Sequence, residues 1–256
     1  MLKMWIWIVV FMIAFALTVW GTRRLRSFIL PKNHTQNEFL RIAHQFLGLI
    51  YGVVLAFMIV FSWQNYTTLN KNVDLEITSL TDVWYDSEAF PCKYQVPFQA
   101  AVIDYLRSIQ QYEWPLMAKG ISPHSNPAYT HLWESANRLK VKTDNQRAFL
   151  TSMVTELNNV NSYRMNRIFA VKGSIPCILW IFLISGAFCM IILTELYNAN
   201  TKLRTLLSSI QALILVFAFY LIANFQHPFQ GSLGLKNDCY KNVFETLINL
   251  QDQGCE

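Results

Sequence analysis

The chain has 256 residues, 53% of them apolar, and a formal net charge of +5. That apolar share is rich for a soluble domain but modest for a protein lying wholly in lipid, so the chain should divide between bilayer and water. Its basic residues are scattered apart from Arg23, Arg24 and Arg26 beside an apolar run, which is a juxtamembrane pattern and not a nucleic-acid module.

A helix rising ~1.5 Å per residue crosses a ~30 Å hydrocarbon core in about 20 residues. Four segments are long and apolar enough for this: residues 4–20, 44–63, 175–194 and 206–223. The expected fold class is all-α: a polytopic membrane protein with four transmembrane helices and a helical extramembrane domain between the second and third. Residues 1–63 would hold the first two spans, 64–173 the extramembrane domain and 174–224 the last two spans. Residues 225–256 would form a C-terminal segment packing on that domain.

The first span carries Trp5 and Trp7 at one end and Trp20 at the other, as interfacial anchors do. No small-x-small cleavage site follows it, and Gly21-Thr22-Arg23-Arg24 reads as a stop-transfer flank, so it is expected to stay and span. The two short loops hold Arg23, Arg24, Arg26, Lys32, Arg41, Lys202 and Arg204 and are expected to be cytoplasmic. This places the protein in the cell (inner) membrane with both termini and the large domain outside the cytoplasm. A wider count of basic residues is a tie, so the orientation rests on the arginine cluster.

In the second span Gly48 and Gly52 form a G-x-x-x-G pair, and Gln45, Leu49, Gly52, Val53 and Ala56 fall on one helical stripe. Two readings stay open for that stripe. It is a helix-packing seam, or copies of it from several subunits line a pore with a hydrophobic constriction. Beyond Trp63 no proline or glycine interrupts the chain before Phe90, so the helix should leave the membrane as one rod and end at Phe90-Pro91-Cys92.

A second domain helix is expected from about residue 97 to 114, stopped by Pro115. A third should run from 128 to about 141 behind Pro127. Asp144 should cap a fourth that reaches about Lys172. Gly173-Ser174-Ile175-Pro176 reads as a stop and a fresh start with Ser174 as N-cap. After the last span an irregular exit leads to an amphipathic helix over about 237–250. Cys177 and Cys189 sit in the third span as small packing residues, whereas Cys92 and Cys239 would be a possible disulfide if the domain is outside.

No Gly-rich phosphate loop, G-x-S-x-G or H-E-x-x-H occurs, and the five histidines are dispersed. No catalytic residue, metal site or cofactor is expected, and the protein is read as no enzyme. The spans lack ionisable residues at their middles, which weighs against proton-coupled transport.

Several short motifs in order carry a resemblance. These are Trp63-Gln64-Asn65-Tyr66 ending the second span, Glu76 after it, and Glu113-Trp114-Pro115. Arg164-x-x-Arg167 then precedes a span that opens Pro176-x-x-Leu179-Trp180, and Pro228-Phe229-x-Gly231 follows the last. Together they resemble the bestrophin-like domain family and, more distantly, the bestrophins, which are pentameric anion channels whose second span lines a neck. The resemblance implies a homo-oligomer of four or five subunits in a lipid bilayer, conducting inorganic ions past Gln45, Leu49, Gly52, Val53 and Ala56. Glu76, Glu113, Trp114, Pro115, Arg164, Arg167, Pro228, Phe229 and Gly231 would be structural motif residues, with Glu113 paired to Arg164 or Arg167. The neck aromatics and the acidic calcium-binding run of bestrophins are missing here, so neither calcium gating nor anion preference carries over. The contrasting reading is a membrane-anchored sensory or scaffold protein whose helical domain binds a ligand or partner.

Overall fold

The computed structural model describes residues 12–14, 16–24, 34–173, 175–196, 200–230 and 234–252, and all regular structure among them is helical. Helix α1 covers residues 12–14 and 16–24. It is followed by α2 His34–Asp86, α3 Cys92–Ser108, α4 Trp114–Ala118 and α5 Pro127–Asn137. The chain continues with α6 Asp144–Ala170, α7 Cys177–Leu196, α8 Thr201–Gln226 and α9 Asp238–Asp252. Among the described residues, three helices are long and apolar enough to cross a membrane: α2, α7 and α8. The expected crossing at residues 4–20 lies partly outside the described residues. Two compact units form, Met1–Asn65 with Ser174–Gln226, and Tyr66–Gly173 with His227–Glu256.

In the first unit Tyr51, Leu55 and Met58 recur every three or four residues on α2, the spacing that stacks side chains on one face of a helix. They are buried with Leu183, Ala187, Met190 and Ile191 of α7 and with Leu215, Ala218, Phe219 and Ile222 of α8. Small residues set how closely the helices approach. A Cβ added at Gly48 would meet the Met190 methyl at 3.0 Å, whereas one at Gly52 would meet nothing within 4 Å. Within one chain, then, the packing seam holds for Gly48 and not for Gly52. Gly186 of α7 lies under the Tyr51 ring, whose hydroxyl donates to the Leu183 carbonyl at 2.9 Å. Where α7 begins and α8 ends, Trp180 Nε1 donates to Gln226 Oε1 at 2.9 Å, and Gln226 Nε2 donates to the Ile175 carbonyl at 3.3 Å.

The second unit has its own apolar core, with Leu80, Val83, Phe98, Tyr105, Leu106, Met117, Leu132, Met153 and Leu157 all at 0% exposure. Its boundaries correct several expectations. Phe90 is extended (φ −105°, ψ 152°), as a residue before proline prefers, and ends the turn that follows α2. Helix α3 then begins at Cys92, not near 97, because Pro91 serves as N-cap and its carbonyl takes the first amide bonds from Tyr94 and Gln95. Pro97 and Lys93 are both exposed, so solvent can satisfy the Lys93 carbonyl that Pro97 leaves free.

Pro115 does not stop the helix either. A π-turn over Ile109–Glu113 carries it into α4, with the Trp114 amide bonded to the Ile109 carbonyl, and the widened turn accommodates the proline ring. Thr143, not Asp144, caps α6, since its side chain accepts from the Gln146 amide at 3.2 Å. Cys92 is disulfide-bonded while Cys239 is a free thiol, so the Cys92–Cys239 pair does not form. Cys255, Gly231 and the expected N-cap Ser174 lie outside the described residues.

Gly186→Ala should lower the melting temperature of the purified protein, because its Cβ would stand 2.5 Å from the Tyr51 ring. Overpacking of this kind costs about 1–3 kcal/mol, and adding Tyr51→Leu should recover part of it. An unchanged melting temperature would mean that α7 yields at no cost.

Candidate functional site

Two constellations stand out, one in each unit. On α2 the stripe Gln45, Leu49, Gly52, Val53 and Ala56 is exposed along its whole length, Leu49 at 68% and Val53 at 48%. At 3.6 residues per turn, Leu49 and Tyr51 lie roughly half a turn apart. The buried face of α2 is therefore the one opposite the stripe, and the chain leaves a row of aliphatic and small groups uncovered over three turns. One amide, Gln45, stands at its end.

The second unit is built around a buried ionic network of four charges. Glu76 on α2 and Glu113 at the end of the π-turn have side chains at 0% exposure. Arg164 and Arg167, three residues apart on α6, are at 8% and 0%. Arg167 donates through Nε and Nη2 to the two Glu76 oxygens at 2.9 and 3.0 Å, and through Nη2 to Glu113 Oε2 at 2.8 Å. Arg164 donates to Glu113 Oε1 through Nε at 2.9 Å and Nη2 at 2.7 Å.

Neutral donors complete the set. Tyr105 and Tyr240 hydroxyls reach Glu76 at 2.8 Å each, and Asn126 Nδ2 reaches Glu113 at 2.9 Å. Two carboxylates and two guanidiniums balance, so the unit buries four charges and no net charge. This is the arrangement in which a buried ion pair is tolerated at all.

The electrostatics follow from that enclosure. Burial alone would raise Glu113, but Arg167, Arg164 and the Asn126 hydrogen bond outweigh it and hold the carboxyl below its ordinary value of 4.5. Burial and the Glu76 charge push both Tyr105 and Tyr240 well above the ordinary phenol range, so they remain donors at any physiological pH. Asn126 has two roles: its side-chain oxygen caps α5 by accepting from the Ala128 and Tyr129 amides, while its amide nitrogen serves Glu113. The Trp114 ring closes the cluster edge-on against Phe229 at 5.4 Å and Tyr240 at 5.7 Å.

Glu113 pairs with both arginines, where the sequence leaves the choice between them open. Glu76 proves to be the second carboxylate. Tyr240 and Asn126 have no motif of their own. Pro228 and Phe229 are buried in the exit segment, and the Pro228 carbonyl accepts from the Leu235 amide at 2.7 Å. Among the described residues no group of three or more His, Cys, Asp or Glu side chains could hold a metal.

An all-helical membrane protein with an uncovered stripe on its longest helix and a neutral ionic core is the class these features define. Within it, the chain belongs to the Bestrophin-like domain family, whose model matches residues 7–239. The fold is similar to that of bacterial Bestrophin homolog structures from Klebsiella pneumoniae. One aligns with a TM-score of 0.71 at 9% identity, covering 98% of this chain and 99% of that one. Another aligns with 0.68 at 12% identity, covering 94% and 98%. A structure described only as a membrane protein aligns with 0.69 at 11% identity, covering 95% and 99%. No curated protein matches the chain.

Glu113→Gln leaves two guanidiniums facing one buried carboxylate and should cost about 3–5 kcal/mol, read as a large fall in melting temperature. Because the folded Glu113 pKa is lowered, its contribution is fully present above 4.5 and disappears as pH falls through the folded value. As pH falls below 4.5, wild-type melting should therefore drop more steeply than that of Glu113→Gln. Parallel curves would remove Glu113 from the ionic core.

Proposed function

We propose that this chain assembles as a homo-oligomer of four or five subunits around a common axis. It forms a bestrophin-like ion channel through which inorganic ions permeate passively, with α2 as the pore helix. The observation that carries the reading is the uncovered stripe. Tyr51, Leu55 and Met58 are spent on the chain's own α7 and α8, while Gln45, Leu49, Gly52, Val53 and Ala56 are left free for symmetry copies. Small and aliphatic side chains meeting on an axis make a constriction that gates by wetting and dewetting, with the Gln45 amide as a polar group at its mouth. The ionic core of the second unit is a positioning element in this reading. It fixes the register of the outer half of α2, and a conductance defect in Glu113→Gln would arise through lost structure.

The orientation we infer puts Arg23, Arg24 and Arg26 on the cytoplasmic side and the second unit outside. The disulfide at Cys92 supports it, since such bonds persist in oxidising compartments. Cys239, free and exposed, is a ready reporter. An impermeant maleimide added to spheroplasts should label it, and labelling only after lysis would reverse the orientation.

Purified protein in planar bilayers should conduct, and Leu49→Ala and Val53→Ala should raise the open fraction while leaving stability within about 0.5 kcal/mol of wild type. Particle images should show four- or five-fold symmetry with α2 innermost. Silence of all three proteins under every ionic condition, or a monomer by native mass spectrometry, would sink the channel and leave a membrane-anchored sensory or scaffold bundle.

A further inference from the structure

The first unit holds a second charge cluster that the channel reading does not use. At the end of α7, Glu195 is fully buried in its side chain and takes two arginines on one oxygen: Arg204 Nε of α8 and Arg23 Nε of α1, each at 3.2 Å to Oε2. Arg23 Nη2 also donates to Thr205 Oγ1 at 2.8 Å. One carboxylate against two guanidiniums leaves a surplus positive charge, here at a helix-to-helix turn next to two apolar crossings. The hydrogen bonding is unfinished as well. Arg204, 3% exposed, has no partner for Nη1, and Glu195 has none for Oε1. Nη1 lies on the opposite edge of the guanidinium from Nε, so Glu195 itself does not answer it. A buried donor, a buried acceptor and an uncompensated cation in one place are each costly when left as they are.

Further along the same helix pair is a small apolar groove of about 20 Å³, lined by Ile184, Phe188 and Ile191 of α7 and by Ala212, Leu215 and Phe219 of α8. Arg204, Ser208, Ala212, Leu215 and Phe219 are all buried and spaced three or four residues apart, so the charge cluster and the groove share one face of α8. From Arg204 to Ala212 and Phe219 the axial distances are ~12 and ~22 Å, which spans the depth of one leaflet of a ~30 Å core.

We infer that this face is an anionic phospholipid site. The phosphate takes Arg204 Nη1 and the exposed edge of Arg23, a hydroxyl of the head group donates to Glu195 Oε1, and an acyl chain runs over the apolar surface of α7 and α8. A guanidinium fork matches phosphate geometry, and basic clusters between membrane helices attract anionic head groups. A glycerol head group supplies phosphate, hydroxyl and net negative charge together. An ethanolamine head group supplies hydrogen bonds but leaves the surplus cation unanswered. The inference requires that α7 and α8 cross the bilayer and is independent of whether α2 lines a pore.

Native mass spectrometry of the full-length protein, titrated with phosphatidylglycerol and separately with phosphatidylethanolamine in detergent, tests it. Phosphatidylglycerol should bind at least about tenfold more tightly, and Arg204→Gln or Arg23→Gln should each lose about tenfold, the worth of one charged hydrogen bond. If Arg204→Gln fails to fold, Arg23→Gln on the exposed rim decides the matter, since it should weaken binding. Equal affinity for the two lipids, unchanged binding in Arg23→Gln, or full displacement of the lipid by inorganic phosphate would each overturn the site.

Discussion

A guanidinium with no contact with water has to find its solvation inside the protein, and Arg167 finds it in two carboxylates that come from distant parts of the chain. Glu76 arrives from the C-terminal half of α2 and Glu113 from a π-turn 37 residues later in sequence order, while Arg167 itself sits on α6. Breaking any one contact leaves a bare charge in a low-dielectric interior, so the three helices are fixed together in register. Tyr240 extends the same constraint to α9, because its hydroxyl is the fourth donor that Glu76 requires. The C-terminal helix is held by a hydrogen bond to a buried charge as well as by its apolar face.

The π-turn belongs to the same constraint. A regular helix through Pro115 would clash with the carbonyl four residues back. Widening the turn over Ile109–Glu113 removes the clash and leaves Ile109, Glu113, Trp114 and Met117 all buried. The Glu-Trp-Pro motif is thus one device: the proline requires the wide turn, the turn directs the carboxylate inward, and the tryptophan covers it. In the first unit the chemistry is different. Its helices meet through small residues and aliphatic stripes, and its buried charges, Glu195 and Arg204, sit at the end of α7 and the start of α8, where Glu195 gathers two arginines.

Three of the four apolar segments legible in the sequence stand as helices long enough to cross a membrane, because a crossing needs about 20 residues without charge, a one-dimensional property. The sequence also made the uncovered stripe of α2 legible, since residues at i, i+4 and i+7 share a face whatever they touch. Pairing of Glu113 with Arg164 or Arg167 was legible from its place in the Glu-Trp-Pro motif between helices, one of which carries both arginines. The partner of Glu76 was not, nor was the part played by Tyr240, because nothing in local spacing says which of several buried polar groups will meet. Helix ends are less legible: Pro97 suggests a start and Pro115 a stop, while the neighbouring turns decide otherwise.

Composition and periodicity alone therefore determined that the chain is helical, that it holds segments long and apolar enough to cross a membrane, and which faces of its helices are apolar. Those properties belong to a segment and its solvent. Only the tertiary structure decided that four charges close into a neutral cluster, that Cys92 does not bond Cys239, and that Gly48 is approached closely while Gly52 is left open. Each of these depends on side chains far apart in sequence arriving within about 3 Å of one another, and that convergence is a property of packing, which no local pattern encodes.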